Sequence, residues 1–442
     1  MINATLLDKA RRLNRRFEMF AEMAEDPPDL SEFDFLFSAK DNLCTTDFQA
    51  RAGSRILEGY RPPFDATPVK RMREAGGFLL GKTNMDEFGF GSFCTNSAYG
   101  VPKNPFDPKR CCGGSSGGAA AAASLIDGHV ALGVSTGGSI SCPASFCGIV
   151  GFTPTYGRVS RYGLIDYANS LDKVGLLARS SILIRRYLKV ISGADPKDPT
   201  SCAQPPLDSE GGAVRSVGIP VEVMDSVRDD VREEFDRALA LLSSELGVEV
   251  KEIRISSLRY ALPAYYILAT SEASTNLARY CGMRFGVKGG DVRQHFNDYF
   301  SEVRSEWFGK EAKRRILLGT YSRMVGFRSR YYMKALAVRQ MIIRDFAEAL
   351  SSCDLVVTPT MPFVAPRLSE IMDIRPLDAY RADELTVPPN LAGLPHVSIP
   401  CGYVGSMPVG MQAAARHWDE GRLLRFAGMW EGIFRYRSPE VI

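Results

Sequence analysis

The sequence predicts an α/β fold in one large domain, residues 1–442, with a sheet covered by helices on both faces and a helical elaboration in the second half. Three observations carry that prediction. Short apolar runs alternate with helix-patterned stretches through the first half. Residues 258–350 are patterned mostly as helix. Of the 442 residues, 45% are hydrophobic, which is ample for a sizeable core.

In chain order, residues 1–28 read as a surface helix with the basic stretch "KARRLNRRF", stopped by Pro27-Pro28. A core over 30–192 follows. In it "FDFLFSAKDNL", "GGFLLGKT", "HVALGVSTG" and "CGIVGFTP" read as buried strands, with "ATPVKRMREAG" and "GGAAAAASLI" as helices between them. Residues 193–216 are rich in proline, glycine and serine and read as a loop. The segment 217–350 opens on the strand "VGIPVEV". Next comes a helix in which Val227, Val231, Phe235, Ala238 and Leu242 recur at helical spacing and Gly247 supplies the stop. Over 351–442 the chain returns to the core sheet through "DLVVTPT", "HVSIPCG" and "PVGMQAA", and a last helix starts near Asp419.

Composition excludes several classes. A net charge of +3 is no footprint of a nucleic-acid-binding surface. The ten cysteines fall at irregular spacing with no C-x-x-C pair, which points to reduced cytosolic thiols rather than a zinc site or a disulfide framework. The N-terminus has no apolar core of a signal peptide, and Glu18, Glu22 and Glu25 oppose a transit-peptide reading. No stretch reaches membrane-spanning length, so a soluble, cytoplasmic protein is expected.

Two glycine-rich stretches compete for attention. "GGFLLGKT", Gly76 to Thr83, matches the P-loop pattern letter for letter. Its context is inverted: a helix precedes it, and Phe78-Leu79-Leu80 suits a buried strand rather than a loop that cradles phosphate. The second signal is "CCGGSSGGAAAAASL" followed by "GVSTGGSISCP". Two glycines before Ser139 let the backbone turn its N–H groups toward one point, as an oxyanion hole requires. Ser139 therefore reads as a nucleophile, with a hole built from the N–H groups of Thr136, Gly137, Gly138 and Ser139 itself.

A serine needs a base. None of the four histidines, His129, His295, His396 and His417, has a triad-like surround. Lysine is the other candidate, and Lys40 follows an apolar strand. Its neutral form costs about 4.6 kcal/mol near pH 7, a cost that burial removes by destabilising the charged form. Ser115 then stands as a relay between Lys40 and Ser139.

In that order, "AKDN", "GGSSGG" and "STGGSI" resemble the amidase signature family, whose members use a serine–cis-serine–lysine triad within a large mixed sheet. The resemblance implies that Lys40 is the base, Ser115 the relay serine with a cis peptide bond, and Ser139 the nucleophile, 24 residues beyond Ser115. Within the family, "GKTNMDEF", "TPTYGRVSRYGL", "SEASTNLARY" and "PPNLAGLPHVSIPCG" are similar to the glutamine-hydrolysing branch that serves tRNA-dependent amidotransferases. That branch implies glutamine as substrate and two partners, the B and C subunits of the amidotransferase. It places tRNA mainly on the B subunit, ATP and magnesium on that partner, and no cofactor or metal in this chain. It also implies that Arg315 clamps the α-carboxylate of glutamine, that Asp383 meets the α-amino group, and that Tyr265 lines the pocket. Each has a bland alternative: a solvated face for Arg315, a loop or cap for Asp383, a core aromatic for Tyr265.

Three departures from the family pattern stand out. An aspartate four residues before the nucleophile and an arginine two after it are here Ser135 and Ser141. One helix precedes Lys40 where the family commonly has more, which bears on how the small C subunit docks. A free-standing amidase acting on another small amide, and a non-catalytic scaffold subunit, are the rival readings.

Overall fold

A computed structural model describes residues 4–24, 29–207 and 212–440. Its centre is a mixed sheet of eleven strands among the described residues. They are β1 (Phe20–Met23), β2 (Phe35–Lys40), β3 (Gly77–Thr83), β4 (Val130–Ser135), β5 (Val150–Thr153), β6 (Lys173–Ala178), β7 (Ser216–Pro220), β8 (Glu249–Ile253), β9 (Leu355–Pro359), β10 (His396–Val404) and β11 (Met407–Ala414). Their spatial order is β1-β3-β2-β4-β6-β5-β10-β11-β9-β7-β8. The trio β3, β2 and β4 runs parallel, as does β9, β7 and β8, and antiparallel pairs join the two groups.

Alternation along the strands divides the core. Leu36, Phe78, Leu80, Ala131 and Leu177 pack in one cluster with the alanines of helix Gly117–Leu125 and with Leu7, Ala10 and Phe17 of helix Ala4–Phe17. Their neighbours Phe35, Phe37, Leu79, Val130, Leu132 and Leu176 point into the other, larger cluster. Successive side chains on a strand face opposite ways, so both faces of the sheet are covered. This is why these strands read as unbroken apolar runs.

Several elements differ from expectation. The first helix ends at Phe17 rather than near residue 28: Glu18 takes φ 52°, the Asn14 side chain accepts from Phe20 N at 2.8 Å, and the chain enters β1. The expected stop at Pro27-Pro28 lies outside the described residues, as do 208–211 of the expected loop. Strand β7 ends at Pro220 and passes into a 3₁₀ turn, Val221–Ser226, so "VEV" is not strand. Strands β1, β6 and β8 are additions to the expected set. The helix Asp229–Leu246 buries Val231, Phe235, Ala238 and Leu242 as its spacing requires, and Gly247 closes it at φ 63°. Val227, expected in the same helix, is buried but lies before its start, capping the 3₁₀ turn. Among the described residues no helix is long and apolar enough to cross a membrane.

Candidate active site

Topology brings three distant segments to one edge. Strands β2, β3 and β4 are parallel, so their carboxyl ends share an edge of the sheet. Lys40 is the last residue of β2, and Ser139 lies four residues beyond the end of β4. Helix Gly117–Leu125 leads back to the start of β4, which leaves Ser115, just before it, at that same edge. The P-loop look-alike is β3 itself, and Lys82 is fully buried against Asp41, 3.7 Å away.

Lys40 Nζ donates to Ser115 Oγ at 2.7 Å and to the Val134 carbonyl at 3.0 Å. The Gly114–Ser115 peptide bond is cis. Ser116 N donates to the Ser139 carbonyl at 3.2 Å, which ties the two serine segments together. Lys40 and Ser115 are each 1% exposed and Ser139 is 8%, so of the three only the last opens outward. Burial lowers Lys40 to about 7, against the opposing pull of Cys94, Asp86 and Asp172. The same burial raises Asp86 to about 6 and Asp172 to about 7. Acids and base alike are driven toward neutrality, which keeps a proton-accepting amine accessible near neutral pH.

The turn before Ser139 is shaped by close packing. A Cβ on Gly137 would lie 2.5 Å from the Tyr265 ring, and one on Gly138 would lie 2.1 Å from Thr386 Oγ1. Any side chain there would displace the turn. Thr136 Oγ1 donates to Asp172 at 2.7 Å, and the Thr136 carbonyl accepts from Asn390 Nδ2. Among the described residues, the N–H groups of Gly137, Gly138 and Ser139 have no protein acceptor. They are free to meet an incoming oxygen.

The second half of the chain supplies a neighbouring pocket. Arg315 is 3% exposed, on the inward face of helix Lys310–Arg323, so the solvated-face alternative fails for it. Its Nε donates to Glu311 at 2.8 Å and its Nη1 to Tyr167 at 2.6 Å. The rings of Phe90, Tyr167, Tyr266 and Tyr380 surround it at 5.1–5.6 Å. Asp383 accepts from Ser92 Oγ at 2.7 Å and from the Tyr266 hydroxyl at 2.6 Å. Burial pushes its carboxyl up, with those two hydroxyls opposing. A cavity of about 250 Å³ opens beside them, lined in part by Ser92, Glu311, Arg315 and Tyr380. Tyr265, packed on Gly137 and edge-on to Tyr266, bridges this pocket to the Ser139 turn. Thus all nine sequence-selected residues converge on one region.

Sequence reasoning missed Asp86, Asp172, Glu311, Tyr167 and Asn390. A lone polar residue gives no pattern, and only the fold shows that these are buried and aimed inward. Ser135 and Ser141 are also fully buried, and neither hydroxyl finds a partner among the described residues.

The amidase family profile matches residues 7–424. The A subunit of glutamyl-tRNA(Gln) amidotransferase from Methanospirillum hungatei is 46% identical over 401 residues, covering 89% of this chain and 91% of its own. The protein of the same description from Persephonella marina is 44% identical over 420 residues, covering 93% and 86%. Among solved structures, the crystal structure of the glutamyl-tRNA(Gln) amidotransferase A subunit from Thermotoga maritima superposes with a TM-score of 0.84 at 35% identity, covering 99% of this chain and 94% of that one.

Proposed function

Because the chain belongs to the amidase family, we propose that it is the glutaminase subunit of a tRNA-dependent amidotransferase. It hydrolyses glutamine and supplies ammonia to convert Glu-tRNA(Gln), or Asp-tRNA(Asn), to the amidated form. The observation that carries the chemistry is the buried 2.7 Å contact from Lys40 Nζ to Ser115 Oγ, beside the Ser139 turn. The relatives' shared description supports the substrate and the partners.

In this reading neutral Lys40 takes a proton through Ser115 as Ser139 Oγ attacks the amide carbon of glutamine. The N–H groups at 137–139 hold the oxyanion. The proton returns through Ser115 to the departing ammonia, and water then cleaves the glutamyl ester. Arg315 and Asp383 hold the α-carboxylate and the α-amino group. ATP, magnesium and tRNA are assigned to the B subunit, and the small C subunit completes a cytoplasmic heterotrimer. The test is amidation of Glu-tRNA(Gln) by the chain co-expressed with its B and C partners. Glutamine-dependent amidation lost in Ser139→Ala, yet restored by added ammonium, is the expected result. Hydrolysis of unrelated amides by the chain alone, with no amidation in the complex, would favour a free-standing amidase.

A further inference from the structure

We propose that Glu311 is a positioning residue for α-carboxylate recognition, fixing the edge that Arg315 presents to the substrate. The inference rests on the glutaminase reading above and deepens it. A guanidinium carries five N–H donors in a rigid plane, so its usefulness as a clamp depends on which edge faces the ligand. Here the Nε edge is taken by Glu311 Oε1, and one donor of Nη1 by the Tyr167 hydroxyl. Nη2 has no protein partner among the described residues, and Arg315 lines the cavity. The remaining donors are therefore presented as a set.

Glu311 does more than neutralise a neighbour one turn away. The same Oε1 accepts the Tyr380 hydroxyl at 2.7 Å, and Oε2 accepts from Arg314. Tyr380 stacks on Tyr266 at 4.1 Å, and Tyr266 donates to Asp383. One carboxylate thus fixes the guanidinium edge and the Tyr380 hydroxyl, while Asp383, expected to meet the α-amino group, is held by its own two hydroxyl donors, Ser92 and Tyr266. The carboxylate's base is itself fixed: Gly309, just before this helix, donates its N–H to Glu87 at 3.0 Å.

The test compares glutamine with 4-aminobutanamide, which is glutamine without its α-carboxylate, using the complex with its partner subunits. Glu311→Ala is expected to raise KM for glutamine about tenfold with kcat changed by no more than about twofold, and to leave kcat/KM for 4-aminobutanamide within about twofold. Glu311→Gln keeps an acceptor for Nε and for the Tyr380 hydroxyl. It should stay within about threefold of the parent on both substrates. Tyr380→Phe, which keeps the ring, should shift glutamine KM upward by about threefold and provides the reading if the alanine variant fails to fold. Equal losses on both amides would make Glu311 merely structural, and a lowered KM for glutamine would make it a competing charge; either overturns the proposal. A parent enzyme indifferent to the α-carboxylate would instead sink the glutaminase reading.

Discussion

Lys40 answers two demands that oppose each other, since it must be buried to lose its charge and must still hold a proton path to the reacting centre. Burial among β2, β4 and the Ser115 turn meets the first and lowers it to about 7. The contact to Ser115 meets the second. The sign of the pH dependence follows. In the proposed mechanism the neutral amine is the active form, so kcat/KM should rise with pH through about 7 and level off above it. Lys40→Arg should be as damaging as Lys40→Ala, because a guanidinium keeps its proton throughout that range. Steady-state profiles of the three proteins check this. An active arginine variant would reduce Lys40 to a fixed positive charge.

At the scale of elements, the turn between β4 and helix Ser141–Phe146 is held by hydrogen bonds and close packing rather than an ion pair: Thr136 Oγ1 on Asp172, Asn390 on the Thr136 carbonyl, and two glycines packed on Tyr265 and Thr386. Ser135 and Ser141 stand where the resemblance expects an aspartate and an arginine, and both hydroxyls are buried without partners among the described residues. Restoring one charge alone places it unpaired in the core, at a cost of several kcal/mol. The costs should differ. Ser135 lies directly across from Lys173 in the β4–β6 register, an amine that burial drives toward its neutral form. Ser135→Asp can therefore gain an ion pair only by charging Lys173, whereas Ser141 opens the helix Ser141–Phe146 and has no cross-strand partner. The double variant should cost less than the two single changes summed. Denaturant unfolding of all four proteins measures the coupling, and simple additivity would show the sites independent.

At the scale of the whole molecule, a site of serines and a lysine is assembled from segments 75 and 24 residues apart because parallel strands deliver them to one edge. Much of this was legible. Apolar runs marked β2, β3 and β4, and small residues marked the two serine turns, because close backbone approach leaves a compositional trace. Arg315, Asp383 and Tyr265 were legible only through resemblance, since a cation in "KRRILLGT" looks like any exposed helix face until the fold turns it inward. Strand β8 was hidden because it is a polar edge strand, and β6 because it opens on Lys173, a residue rarely buried. Strand β1 is four residues long with Glu22 in its midst. The central claim, that Ser139 carries the acyl group, is tested most directly by acid-quenching the enzyme during glutamine turnover and mapping the modified peptide by mass spectrometry. A glutamyl ester on Ser139, absent in Lys40→Ala, is the predicted result; a glutamyl group on another residue, with Ser139→Ala still turning over, would contradict it.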